Sequence, residues 1–297
     1  MSNKYIIFVP GKNPKPLAES HRDLLWQALI AGLARIDEKA YKDLVNNKKN
    51  FKLIAWNYIF YHKNKNIDND VLAVTELIKK TGPSEQDISE SSTWYYKFDQ
   101  IFYRVIDFFP WTVLLLTGKI RATVKEIQRY FYNKNNIACE VRELLKQELR
   151  PMLRNKDSVL LIGHSMGSII AYDALWELSH LEKLPGKVDF LTIGSPLGMN
   201  YVQHNLIGNK YSVKKRYPTN IEQWINISAD GDITALDNVF ADDFDEMLKL
   251  GLVKNISDYC NGVYNYFRDK KGLNCHRSYG YLINSIVSKT IVSWWKK

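Results

Sequence analysis

The chain has 297 residues, 45% hydrophobic and 25% charged, which is the composition of a globular protein with ample core-forming material and excludes a disordered or low-complexity one. Forty-one Lys and Arg against 32 Asp and Glu give a formal charge of +9, but the basic residues are scattered or in small groups, such as the pair Lys48 and Lys49 and the trio Lys214, Lys215 and Arg216. Without a long basic block, zinc-finger spacing or RNP-type motif the excess reads as a solvated basic surface, and no nucleic acid partner is expected.

Short apolar runs alternate with helical patterns along the chain. The predicted strands are KYIIFV (4–9), FKLIAW (51–56), SVLLIG (158–163), VDFLTIG (188–194) and QWINIS (223–228). The predicted helices cover 18–36, 69–80, 136–150, 166–180, 238–250 and 279–295. In the last of these, Ile283, Ile286, Val287, Thr290, Ile291 and Trp294 recur at three and four residues and form one stripe. This alternation implies an α/β fold, a mostly parallel sheet flanked by helices on both faces, in one domain over 1–297. The first apolar run is too short for a signal-peptide core and reads as a core strand. Residues 81–134 interrupt the alternation with the aromatic WYYKFDQIFYRVIDFFPW and a helical stretch, so they are expected to form a helical, aromatic-rich cap. Ile120, Val124, Ile127 and Phe131 give that stretch an apolar face, and Lys119, Arg121, Lys125 and Arg129 lie elsewhere on it. With the ending WWKK (294–297), this basic amphipathic pattern suggests peripheral contact with an anionic membrane. No run approaches the ~20 apolar residues of a spanning helix. Cys139, Cys260 and Cys275 lack C-x-x-C spacing, so neither a zinc site nor a disulfide framework is suggested, and a cytoplasmic location fits.

The chemistry concentrates in VLLIGHSMGSIIAYDALWEL (159–178). A serine hydroxyl attacks carbonyl carbon well only when a base takes its proton and its oxygen stands clear of the backbone, as at a sharp turn from strand to helix. Gly163 and Gly167 around Ser165 permit such a turn, between an apolar run and an amphipathic one. LLIGHSMGSIIAYDAL closely resembles the nucleophile elbow of α/β-hydrolases, and the strand pattern on either side resembles that fold across most of the chain.

The resemblance implies a nucleophile, an acid and a histidine in that chain order, with an oxyanion hole of backbone amides. Under that order His21 and His62 come before the serine, His164 lies inside the turn pointing away from the hydroxyl, and His180 and His204 precede the strand that would carry the acid. His276, in LNCHRSYGYL ahead of the last helix, stands where the family places its histidine. The acid is expected in ADGDITALD, where Asp230, Asp232 and Asp237 are candidates. Asp232, between Gly231 and Ile233, looks most like the family's loop aspartate, with Asp230 next. Asp242, Asp243, Asp245 and Glu246 read as an exposed helix face.

One oxyanion donor is expected to be the Met166 N–H and the other to come from VPGKNPKP. The family often has His-Gly in that loop; here Pro10 and Gly11 stand there, which points to the Lys12 N–H, with Asn13 as the alternative. TIGSPLG (192–198) lacks the elbow spacing, and Ser195 and Leu197 are expected near the pocket. The expected activity is that of a serine hydrolase, esterase-like or lipase-like, cleaving a small-molecule or lipid carboxylic ester through an acyl-enzyme on Ser165, without metal or cofactor. Acyl transfer and a non-catalytic binding protein on the same fold are the alternatives.

Overall fold

Strand β1 (Lys4–Val9) carries the pattern that organises the molecule: Ile6 and Phe8 join one apolar layer, Ile7 and Val9 the other, and all four are fully buried. The same alternation recurs in β3 (Ser158–His164), where Leu160 and Ile162 oppose Val159 and Leu161. A strand apolar on both faces needs cover on both sides, which a parallel sheet with crossover helices supplies. The computed structural model describes residues 3–93, 118–232 and 238–297, without the side chains of 118–124. In it β1, β2 (Phe51–Leu53), β3, β4 (Val188–Ile193), β5 (Ile221–Ile227) and β6 (Ile256–Tyr259) form one parallel sheet in the order β2-β1-β3-β4-β5-β6.

One face is covered by α1 (Ala18–Ala34), α2 (Glu38–Asn46), α4 (Asp68–Lys79), α13 (Ser278–Ile283) and α14 (Ser285–Trp295). The other carries α3 (Asn57–Tyr61), α6 (Gly118–Phe131), α7 (Ile137–Asn155), α8 (Met166–His180), α11 (Phe240–Asp243) and α12 (Asp245–Lys249). Between these lie α5 (Glu85–Ser91), α9 (Asn200–Asn205), α10 (Val213–Arg216) and a hairpin of β7 (Arg268–Asp269) and β8 (Gly272–Leu273). Helix α8 is buried from Met166 through Ser179, as expected for a helix apolar all round.

Several elements depart from the sequence expectation for identifiable reasons. The strand expected over 51–56 pairs only through Leu53; Trp56 turns into α3 and its indole N–H donates to Pro10 O at 2.7 Å. The helix expected over 136–150 runs on through Pro151 to Asn155, because Leu149, Met152 and Leu153 continue its buried stripe. The helix expected over 238–250 breaks at Phe244, whose ring packs 4.7 Å from that of Trp224. The last helix breaks at Asn284, which leaves helical geometry and accepts the Ile286 N–H as an N-cap. β6 was not anticipated in its polar NISDY.

Of the expected cap, 94–117 lie outside the described residues. What is described of α6 packs on the domain: Ile127 and Tyr130 are buried, and the Arg129 guanidinium lies 4.3 Å from the centre of the Phe60 ring. The ending WWKK packs its tryptophans inward and leaves its lysines exposed. Both indoles are buried, Trp294 donates to Asp189 and Trp295 to Asp43, while Lys296 pairs with Asp37. Among the described residues no helix is long and apolar enough to cross a membrane.

Trp224 of β5 is fully buried among Phe190, Tyr172, Phe240 and Phe244, and its indole N–H donates to Thr192 Oγ1 at 3.0 Å. Trp224→Ala should therefore cost about 3–5 kcal/mol of stability, read from urea unfolding followed by far-UV circular dichroism. A second prediction concerns Asp87, which caps α5 with Ser84 and binds Arg268 of β7 at 2.7 Å. Burial alone would raise its pKa, but the Ser84 N–H and hydroxyl, Arg268 and Lys80 outweigh it and bring the carboxyl from 3.8 to about 2. Because the folded value lies below the unfolded one, this stabilisation is complete above 3.8 and fades as the pH falls towards 2. Asp87→Asn should be less stable at neutral pH and lose less stability over that interval, measured by the same unfolding curves.

Candidate active site

At the end of β3 the chain turns into α8 through Ser165, whose backbone is held at φ 53°, ψ −131°. A non-glycine residue in such a conformation costs about 1–3 kcal/mol and persists only where its surroundings enforce it. The enforcement is visible. The Ser165 N–H donates to Ile193 O of β4, and its carbonyl accepts both the N–H and the hydroxyl of Ser168, at 2.9 and 2.6 Å. A β-carbon at Gly163 would meet Ser168 Cα at 2.7 Å, and one at Gly167 would meet Val9 O at 2.2 Å. Helix α8 therefore comes as close to β1 and β3 as backbone allows. Ser195, just beyond β4, is fully buried; its hydroxyl shares a bond with Ser168 Oγ at 2.7 Å and accepts the Leu197 N–H. It braces the turn from the side.

His276, in the segment between β8 and α13, meets this turn. Its Nε2 lies 2.9 Å from Ser165 Oγ, and its Nδ1 lies 2.9 and 3.0 Å from the two carboxylate oxygens of Asp232. A carboxylate only accepts, so Nδ1 carries the proton and Nε2 is left to accept the Ser165 hydroxyl. Asp232 follows β5 and is 1% exposed. Ser165, His276 and Asp232 thus form one unbroken hydrogen-bonded row. The runner-up acid is elsewhere: Asp230 is half-buried and accepts the Gly262 N–H. Asp237 lies outside the described residues. The residues expected on an exposed helix face are less free than that, since Glu246 accepts the Tyr217 hydroxyl at 2.6 Å.

Two flanking side chains were not legible as site residues. Tyr281 of α13 donates its hydroxyl to Asp232 Oδ2 at 2.6 Å and accepts the Ala229 N–H at 2.9 Å. Burial, then the Asp232 charge, pushes its pKa well above the ordinary value, so it stays a donor. His164 donates Nε2–H to the carbonyl of His276 at 2.8 Å, and the two rings lie 4.8 Å apart at 34°. Burial, then His276 and Lys15, holds His164 well below the ordinary histidine pKa, so this neutral ring locks the backbone of the other histidine.

The loop after β1 is held from below by α3. Trp56 binds Pro10 O, and Asn57 Nδ2 donates to the carbonyls of Gly11 and Asn13, each at 2.9 Å. The Tyr61 hydroxyl accepts the Asn13 N–H at 3.0 Å, which takes Asn13 out of the donors available to a ligand. Among the described residues the N–H groups of Lys12 and Met166 have no acceptor. The Lys12 ammonium pairs with Glu126 of α6 at 3.1 Å. Among the described residues no group of three or more His, Cys, Asp or Glu side chains is arranged to hold a metal ion.

A family model for lipase (class 3) matches residues 86–224. The match contains the turn at Ser165 and ends before Asp232 and His276. No curated protein and no solved structure matches the chain significantly. A six-stranded parallel sheet covered on both faces, a strained serine between β3 and α8, and this match give the chain an α/β-hydrolase fold, with a likeness to lipase (class 3) over 86–224.

Proposed function

We propose that this protein hydrolyses carboxylic esters, of a small molecule or a lipid, through an acyl-enzyme on Ser165. The observation that carries the reading is the row from Ser165 Oγ through His276 to Asp232, with bonds of 2.9 Å on both sides of the imidazole. The lipase (class 3) match supports ester hydrolysis in general.

In the first half-reaction Ser165 Oγ attacks the ester carbonyl carbon as its proton passes to His276 Nε2. The imidazolium so formed is stabilised by the Asp232 carboxylate at Nδ1. Negative charge develops on the former carbonyl oxygen, where the N–H groups of Met166 and Lys12 would receive it; a donor of this kind contributes about 3–4 kcal/mol to the transition state. Collapse breaks the carbon–oxygen bond to the alcohol, which takes the proton from His276. Water then repeats the sequence on the acyl-enzyme, yielding the carboxylic acid and the free serine.

Ser165→Ala should lower turnover of a p-nitrophenyl ester by about a million-fold. A fluorophosphonate should label the parent and not the variant; equal labelling of both would refute the assignment. Rates across acyl chains of increasing length then separate an esterase from a lipase. Tyr281→Phe removes a donor from Asp232 and leaves the Ala229 N–H without its acceptor. It should reduce kcat by about 10- to 100-fold, the loss expected for a hydrogen bond to a charged group, with KM within about twofold of the parent. A fall confined to KM would mean that Tyr281 does not position Asp232 for the chemistry.

A further inference from the structure

We propose that the cavity at the N-terminus of α1, beside the loop after β1, binds a compact phosphate group carried on the substrate, so that the favoured ester is one of a phosphorylated alcohol. The assignment to a substrate rests on the hydrolase reading above. The cavity holds about 350 Å³ and is lined by Lys15, His21, Asn57 and Asn64 together with the first turn of α1 at Ala18.

Four features of its wall suit an anion. Leu17, the N-cap of α1, offers no side-chain hydrogen bond to the first turn, so backbone N–H groups and the positive end of a 17-residue helix are left without a capping acceptor. Lys15 has no carboxylate partner among the described residues, whereas its cationic neighbours are matched. Arg277 and Lys65 share Asp70, at 2.5 and 2.7 Å, and Lys12 has Glu126. Glu19, in the same first turn, is exposed and does not line the cavity. His21 is 2% exposed, and neither of its ring nitrogens bonds to another described residue. Asn57 keeps Oδ1 buried and without a partner among the described residues, an acceptor suited to a protonated phosphate oxygen.

The electrostatics agree with the geometry. Lys15 keeps part of its side chain open, yet protein surrounds the ammonium; that burial, with Arg277 nearby, brings its pKa down to about 7. An anion seated beside it removes this penalty. Burial, then Lys15, Arg277 and Lys65, keeps His21 neutral, so the ring offers a donor without adding charge.

The cavity adjoins the row of Ser165. Asn57 lines it and also holds the carbonyls of Gly11 and Asn13, and a β-carbon at Gly11 would lie 2.8 Å from Ser165 Cβ. Lys15 follows Lys12 by three residues in the same loop. An ester whose carbonyl lies over Lys12 can thus place a phosphate on its alcohol side within reach of Lys15.

The test uses inorganic phosphate as probe, by titration calorimetry and phosphorus NMR, on the full chain, on Lys15→Met and on the exposed distal control Lys39→Met. Saturable binding to the parent and control, weakened about 10- to 100-fold in Lys15→Met as expected for a charge-assisted bond, supports the site. The kinetic arm compares a monoacyl glycerol phosphate with the neutral monoacylglycerol of the same chain. Preference for the phosphorylated ester, reduced about 10-fold or more in Lys15→Met and inhibited competitively by phosphate, assigns the pocket to the substrate. Lys15-dependent phosphate binding without competition would overturn the substrate assignment and identify free phosphate as the ligand. Phosphate binding that is absent, or equal in parent and Lys15→Met, would overturn the site altogether, and turnover of the neutral ester would still report on the hydrolase. If no ester is cleaved while phosphate binds through Lys15, the hydrolase reading and the substrate assignment fall and the anion site stands.

Discussion

Helix α8 lies against β1 and β3 with no room for a methyl group at Gly163 or Gly167, and most of what surrounds the turn follows from that contact. Because the helix cannot move outward without uncovering Ile169, Ile170 and Leu175, all fully buried, Ser165 has to take up the change of direction in a single residue. Its positive φ is the result. The same contact brings the end of β1 under the turn, so the loop from Pro10 to Asn13 and the first N–H of α8 arrive side by side. Burial of an apolar helix thus holds a strained polar residue in place, a transfer of stability from the core to one dihedral pair.

Around the turn the polar groups form a chain in which each is satisfied by the next. Asp232 is buried, and a buried carboxylate is costly unless its oxygens are matched. His276 and Tyr281 both bind it, and Tyr281 is itself fixed through Ala229 N–H. His164 fixes the carbonyl of His276. Such an arrangement loses rotational freedom during folding and not during reaction, which is the physical content of preorganisation. It also means that removing one member leaves a buried partner unsatisfied, so the effects of substitutions here will not add.

The fold class and the row of Ser165, Asp232 and His276 were legible because each depends on short-range pattern or on chain order within a family. Apolar alternation on both faces of a strand identifies a sheet needing double cover, and G-H-S-M-G between a strand and a helix has a local steric cause. Tyr281 was not legible, since in SYGYLI a tyrosine is indistinguishable from core; its role arises only when α13 docks against the segment after β5, 49 residues away in sequence. Asn57 and Tyr61 were hidden because FKLIAW reads as a strand through Trp56, while the structure ends the pairing at Leu53 and makes the next residues the support of the loop after β1. The strand β6 was missed because Asp258 breaks its apolar pattern. That residue instead receives the N–H groups of Phe240 and Ala241 and the amide of Asn226, a tertiary bond set that no window of sequence contains.

The formal charge of +9 gains meaning only from where the cations find acids. Between α7 and α8, Arg142, Lys146 and Arg150 meet Glu143, Glu177 and Glu182 in one network, and Tyr130 of α6 reaches it through Asp173 and Arg142. These charges hold helices together and have little field to spare for a ligand. At the C-terminus Lys296 has Asp37 in the same way. Lys15 differs in kind: it lies at a concave, partly apolar wall, near an uncapped helix end, with its cationic neighbours already matched to Asp70 and Glu126. Low-dielectric walls focus the field of such a charge into the cavity, where a unit of surplus charge acts on an incoming anion far more strongly than the same surplus spread over open surface. Composition counts those two situations alike, and the fold separates them.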